Sequence, residues 1–273
     1  MQRKTLLTTL LILALPLSAQ AHRVWLLPAA TVLSGDAPWV TFDAAVSNDV
    51  FYFNHHPLQP AAFTATAPDG SEIPLQNTHV GKHRGTFDLQ LLQPGTYRVS
   101  MASSGLRARW EDENGERHFW PGRGETPAPG DFERKVPRDA KNLEVSRASR
   151  RVETWVTAGA PTDSALAPSG DGLEMHAHTH PNDLYSGETA RFQFLIDGQP
   201  AEGTEVTLIP DGVRYRDSQE EMTFTADAEG FIAVTWPQAG RYWLEAEYQD
   251  DRAAAPATTR QGIYVVTLEV LPL

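Results

Sequence analysis

No cysteine occurs among the 273 residues. Disulfide frameworks, Cys-based zinc or iron–sulfur sites and thiol nucleophiles are therefore excluded, and any metal must be held by His, carboxylate, Met or backbone groups. Methionine is scarce, at four residues, which leaves nine His as the main soft ligands. Positive charge is also short. The 23 Lys and Arg face 35 Asp and Glu, and a net charge of -12 repels phosphate backbones, so nucleic acid is not an expected partner. No segment beyond residue 17 is apolar enough to cross a bilayer, and none shows a sustained helical period. Apolar content of 41% and charged content of 21% are nevertheless those of a globular protein. At roughly 100 to 150 residues per domain, the length predicts two domains.

Residues 1–21 carry a basic head at Arg3 and Lys4, an apolar run over 6–17 and the end Ala19-Gln20-Ala21. This pattern is that of a secretory signal peptide with an A-x-A cleavage site. Its removal takes away two positive charges and no acid, so -12 becomes -14. An exported chain without Cys points to a bacterial periplasm, where disulfides are permitted but not obligatory. Cleavage after Ala21 makes His22 the first residue, offering its amine, with an ordinary pKa near 7.7, and its imidazole to one metal. The apolar strand expected at 23–27 would hold that terminus in place.

From Trp39 onward the chain alternates short β-type runs with turn signals, an all-β pattern. Hairpins are expected around Asp69-Gly70 and Asn114-Gly115, and a longer one joins 191–196 to 205–209 through Asp197-Gly198. An internal repeat aligns Gly95 with Gly240 without a gap, placing Phe87 on Ile232, Leu91 on Trp236, Gln93 on Gln238 and Tyr97 on Tyr242. Each copy reads as a half-buried hairpin, with a Tyr placed like the tyrosine corner of immunoglobulin-like domains. The expected fold is two immunoglobulin-like antiparallel β-sandwich domains at 22–157 and 173–273, joined by the Ala-, Pro-, Gly- and Ser-rich linker 158–172. Between 122 and 141 a surface loop is expected, with a short helix at 139–144 at most. Its Gly122-Arg123-Gly124 lacks the preceding strand and following helix of a phosphate cradle.

The His residues are 22, 55, 56, 79, 83, 118, 176, 178 and 180. In a strand, His176, His178 and His180 would project from one face about 7 Å apart, too far for neighbouring ligation without help. Their His-x-His also opens many metal-dependent amidohydrolases, but those are β/α barrels. His79 and His83 are spaced for a helix, which Gly81 and Gly85 oppose. His118 reads as a surface or satisfied core residue. His55 and His56 follow Phe51-Tyr52-Phe53, an aromatic wall that would strengthen a metal bond by excluding water, and adjacent strand residues point opposite ways, so His55 is the choice.

The segments His22-Arg23-Val24-Trp25-Leu26-Leu27-Pro28, Ala45-Val46-Ser47-Asn48-Asp49-Val50-Phe51-Tyr52-Phe53, Arg151-Val152-Glu153-Thr154, Thr179-His180-Pro181-Asn182-Asp183-Leu184 and Gly212-Val213-Arg214-Tyr215-Arg216-Asp217 together resemble an exported bacterial family of unknown function. Its members are commonly described as periplasmic components of cobalt or nickel uptake. The resemblance runs over essentially the whole mature chain. It implies metal ligands at His22, His55 and His180, and makes His56, His176 and His178 additions particular to this sequence.

The first functional reading is a periplasmic protein that binds Ni, Co or Cu through His22, His55 and His180 and passes it to an envelope metal transporter, without catalysis. Such an imidazole and amine site would prefer Cu(II) in a test tube. Two other readings stand beside it. One is a structural or adhesive β-sandwich protein of the cell envelope without metal, and the other is a copper oxidase built on an N-terminal histidine brace.

Overall fold

The computed structural model describes residues 22–122 and 124–273; the expected signal peptide and Arg123 lie outside the described residues. Nineteen strands among them, numbered β1 to β19 along the chain, form three sheets. One sheet has the order β1 (Arg23–Pro28), β3 (Trp39–Ser47), β8 (Gly85–Gln90), β7 (Gln76–Val80), with β4 (His56–Pro57) also on β3. The largest runs β16 (Met222–Thr225), β15 (Glu205–Pro210), β18 (Gly240–Asp250), β19 (Thr259–Val270), β11 (Lys141–Ala158), β9 (Gly95–Glu111), β5 (Thr64–Thr66), β6 (Glu72–Ile73). It also carries β10 (Arg117–Trp120) on β9 and β2 (Val32–Leu33) on β11. The third joins β12 (Leu173–Ala177), β13 (Thr189–Ile196) and β14 (Gln199–Pro200), with β17 (Phe231–Thr235) on β13. At 51% strand and 6% helix the fold is essentially all-β. Among the described residues no helix is long and apolar enough to cross a membrane.

Successive residues of a strand point to opposite faces, so the large sheet feeds two cores. Val152, Val156, Trp243 and Val265 join one cluster with Trp25, Leu26, Phe42 and Phe87 of the β1 sheet. Trp155, Leu244, Tyr264 and Val266 join another with Phe192, Phe194, Val234 and Trp236 of the β12 sheet. Both cores draw on β11, β18 and β19, which lie side by side through a parallel β11–β19 pairing, from Ser146 with Thr259 to Glu153 with Val266. The large sheet therefore holds strands from before and after residues 158–172.

The internal repeat is present, but its copies are not hairpins. β8 and β9 belong to different sheets, as do β17 and β18, so each copy carries the chain across a core instead of doubling it back along one sheet. The shared chemistry lies at the crossing. Gly95 and Gly240 take positive φ of 123° and 147°, which favours glycine. Tyr97 Oη donates to the Gln93 carbonyl at 2.9 Å and Tyr242 Oη to the Gln238 carbonyl at 2.8 Å.

The hairpins at Asp69-Gly70 and Asn114-Gly115 are present as β5–β6 and β9–β10. The third expected hairpin is not. β13 turns at Asp197-Gly198 into the short β14, while β15 joins the large sheet, because Val206 and Leu208 fill its core beside Leu244. The short helix also sits earlier than expected. It is α1 (Asp131–Lys135), with acids in its first turn and bases in its last, whereas residues from Lys141 onward already pair in β11.

Two outcomes test this packing. Trp236 is 1% exposed in the core beside Phe192 and Tyr242, and Trp236→Ala should cost about 3 to 5 kcal/mol in denaturant unfolding. Glu245 on β18 has its pKa raised to about 7, first by burial and then by Glu247, against the opposing pull of Arg23 and Arg150. A folded pKa above the unfolded one means that stability falls as pH rises from about 4.5 through 7. Glu245→Gln should remove that fall, raising stability at pH 8 by up to about 3 kcal/mol while leaving it little changed near pH 4.5. Parallel stability–pH curves for the two proteins would contradict this.

Candidate metal centre

β1 and β4 pair with the same end of β3, where Arg23 lies opposite Ser47 and His56 opposite Val46. His22 immediately precedes the first strand and His55 the second, so the sheet brings two distant segments together at one rim. Their rings stack with centroids 3.9 Å apart and planes within 6°. The His56 ring lies 4.7 Å from that of His55. His55 and His56 thus share one side, contrary to the alternation expected of them, because His55 sits in the bend before β4. A fourth imidazole comes from the turn between β7 and β8: His83 Nδ1 is 3.0 Å from the His55 carbonyl.

The support beneath is aromatic and tightly bonded. Trp25 takes edge contacts with Phe51 and Phe53 at 5.6 and 5.2 Å, and its Nε1 donates to Ser47 Oγ at 2.7 Å. Ser47 Oγ in turn donates to the Asp49 carbonyl at 2.5 Å, fixing the loop that leads to His55. Gly85 allows the chain just after β4 to close down on β8, since a Cβ there would lie 2.1 Å from the Leu58 carbonyl oxygen. Desolvation, followed by the neighbouring His22 and His56, lowers the pKa of His55, so that ring favours its neutral form. That is the protonation state a metal requires.

His180 is not brought to this pair. Its Nδ1 accepts from the Asn182 N–H at 3.0 Å, which leaves the proton on Nε2, 3.1 Å from Thr96 Oγ1 and 3.3 Å from the Thr162 carbonyl. Thr96 Oγ1 meets Thr157 Oγ1 at 2.9 Å, and Thr157 Oγ1 donates to Asn182 Oδ1 at 2.8 Å. The Thr157 N–H donates to the Thr31 carbonyl beyond the far end of β1. The six residues of β1, roughly 20 Å of strand, separate this knot from His22. His180 here ties the 158–172 segment and the start of the 182–184 loop to β9 and β11.

A three-ligand group lies elsewhere, on the β9–β10 hairpin. One ligand atom each from Asp112, Glu116 and His118 lies within 4.8 Å of the others, a cluster able to coordinate a metal ion. Asp112 Oδ1 accepts the N–H groups of Asn114 and Glu116, at 2.9 and 2.8 Å, and Oδ2 is 3.3 Å from His118 Nε2. Those contacts hold the Asp112 carboxyl below its ordinary pKa, the Glu116 backbone bond first. Sequence reasoning passed over this group by treating His118 alone. The Asn114-Gly115 turn was the available signal, since a hairpin there sets 112, 116 and 118 side by side.

The family model described as "Domain of unknown function (DUF4198)" matches residues 19–250. The chain belongs to the DUF4198 family. No curated protein matches this DUF4198 member. Among solved structures, the D0-D1 domain of intimin is 12% identical, with 90% of this chain and 97% of that one covered at a TM-score of 0.22. The fibronectin(III)-like modules of CbhA from Clostridium thermocellum are 9% identical, with coverage of 90% and 94% at 0.23. A DUF3823 family protein from Bacteroides uniformis is 9% identical, with coverage of 91% and 100% at 0.24. Likenesses this weak fix neither the topology nor the activity.

The knot around His180 predicts a stability effect. His180→Ala leaves the Asn182 N–H without its acceptor and Thr96 without its ring partner, and should cost about 1 to 3 kcal/mol in denaturant unfolding. A change within about 0.5 kcal/mol would show that the knot holds without the imidazole.

Proposed function

We propose that this DUF4198 member is an exported, non-catalytic protein that binds a divalent transition metal, Ni, Co or Cu, and hands it to an envelope transporter. The observation that carries the reading is the stacking of His22 on His55 at 3.9 Å, with the His56 ring alongside. Exposed imidazoles from separate segments gain little by meeting, since each would repel the other when protonated; a shared cation supplies the reason for gathering them. Two nitrogens on one ion are at most about 4.2 Å apart, twice a metal–imidazole bond, so the pair needs only side-chain rotation to close on a metal.

The same reading takes the chain as cut after Ala21 and released into a periplasm. The amine of His22 then joins its own imidazole and that of His55, giving a nitrogen-rich set suited to Cu(II) and Ni(II). Supporting this, β1 holds the terminus through Trp25 and through the bond from Trp243 Nε1 to the Val24 carbonyl, 2.8 Å. Arg23 also stacks over the Trp243 ring, 4.8 Å from its centroid. His180, with its ring nitrogens engaged in the knot, serves the fold in this reading. The two immunoglobulin-like units at 22–157 and 173–273 with their linker at 158–172 belong to the same proposal. It is supported by the shared tyrosine bond of Tyr97 and Tyr242, while each core takes strands from both ranges.

The test is calorimetric titration of Cu(II) and Ni(II) into untagged exported protein, with its N-terminal mass measured first. An extra Gly before His22 keeps every imidazole but moves the amine, and should weaken Cu(II) binding at least about tenfold, about 1.4 kcal/mol. His55→Ala should have a comparable effect. A mature terminus at another residue, or unchanged affinity in both variants, would take the metal away from the His22–His55 pair, and the absence of any binding would leave the metal-free structural reading in its place.

A further inference from the structure

β12 ends in an irregularity that alters what its His residues can do. The N–H groups of His178 and Thr179 both donate to the Arg191 carbonyl, each at 3.1 Å. Two successive donors sharing one acceptor define a β-bulge, which bends the strand and re-aims the side chains beside it. In a regular strand the i and i+2 side chains stand about 7 Å apart. Here the rings of His176 and His178 approach to 4.6 Å between centroids, with planes at 50°. The two rings therefore come within reach of one ion, which regular strand spacing alone would not give.

The orientation of His178 follows from hydrogen bonding. Gln193 Nε2 donates to the Glu229 carbonyl at 2.8 Å, which fixes the amide and turns Oε1 toward His178. His178 Nε2 lies 3.3 Å from that oxygen, and since an amide oxygen only accepts, Nε2 must carry the proton. Nδ1 is then the nitrogen with a free lone pair. A ring whose second nitrogen donates to a fixed oxygen is held in one tautomer and orientation, as metal-binding His residues generally are. Phe231 closes one side with its ring 4.8 Å from that of His178, and Arg191 stacks over Phe231 at 4.6 Å. Phe192 and Phe194 face the core, so Arg191 and Gln193 lie on the solvent face of the same sheet.

The geometry points to a second metal site, distinct from the His22–His55 centre, in which His176 and Nδ1 of His178 chelate one Cu(II) or Ni(II) ion. Gln193 acts as its positioning residue. Two imidazoles with the remaining positions open to water suit these tetragonal ions better than zinc, whose structural sites take four protein ligands.

The experiment uses full-length exported protein and Cu(II) alone, by calorimetry and electron paramagnetic resonance. In protein carrying His22→Ala and His55→Ala, one equivalent of Cu(II) with nitrogen hyperfine structure should remain. Adding His176→Gln and His178→Gln should weaken that equivalent at least tenfold. Gln193→Leu, which keeps both imidazoles, should weaken it severalfold, and Gln193→Glu should tighten it. Should the residual copper survive the loss of His176 and His178, or disappear with His118→Ala instead, the site is refuted. Unaltered binding in Gln193→Leu refutes the positioning role. Copper that is insensitive to His22→Ala and His55→Ala but lost with His176 and His178 would overturn the functional reading above and uphold this one.

Discussion

Residues 151–158 of β11 are buried on both faces, and most of the architecture follows from that constraint. A strand sealed on both sides must sit in the middle of its sheet and be covered twice, which is why one sheet supplies both main cores. It must also satisfy each polar group it carries, and this stretch carries several, because an unpaired polar group without water costs about 1 to 3 kcal/mol. Thr154 Oγ1 donates to the Thr267 carbonyl at 2.8 Å, Trp155 Nε1 to the Ala165 carbonyl at 3.3 Å and Thr157 Oγ1 to Asn182. Each of these bonds ties β11 to a later segment of the chain.

The charged members follow the same rule only in part, since Arg151 Nε and one Glu153 oxygen are buried without a hydrogen bond. Arg151 reaches Glu174 at 3.0 Å and Ser169 Oγ at 2.8 Å, and Glu174 also accepts the N–H groups of Ser169 and Gly170. Glu153, fully enclosed, accepts from Tyr264 Oη at 2.7 Å, while its second oxygen, 3.7 Å from Arg151, has no hydrogen-bond partner. Burial raises the pKa of Glu153 against the pull of Arg151. Such a network is costly to break and contributes modestly as a whole, so its clearest effect is on uniqueness of arrangement. Other pairings of β11, β12 and β19 would leave Arg151 or Glu174 buried without its partner.

Local chemistry was legible in the sequence where a single segment contains it. The Asp-Gly and Asn-Gly turns, β1 after His22, the repeat with its Tyr, and the burial of Trp236 and Tyr242 all follow from alternation and turn residues. Which sheet a strand joins did not follow, because alternation marks a buried face without naming what covers it. Hence alternation and turn residues suggest a hairpin of 191–196 with 205–209 and hairpins at both repeat crossings, where the chain instead changes sheets. The interior of β11 was hidden for a related reason: Arg151, Glu153, Thr154 and Thr157 look like solvent-facing residues until their partners, up to 113 positions away, are in view. Sequence reasoning also separated His176 from His178 by a regular strand spacing, since a bulge formed by two N–H groups on one carbonyl has no signature in this sequence.

Hydrogen-bond occupancy sorts the imidazoles into two kinds. At His180 a cation would have to displace the Asn182 N–H from Nδ1 or the contacts of Nε2 with Thr96 and Thr162, loosening the knot between β9, β11 and the segments after them. At the rim, His22 and His55 stand exposed on a rigid base of Trp25, Phe51 and Phe53, and a ligand there displaces only water. His178 is intermediate, with one nitrogen committed to Gln193 and the other open. The residues that resemble one another most in type thus differ most in what they can release, and the sheet decides this by where it ends. A strand terminus leaves side chains beyond the last ladder bond free to turn toward one another, whereas a strand interior commits them to its neighbours. Imidazoles placed just outside β1, β4 and β12 can therefore change partners without disturbing the doubly covered strand on which the fold depends.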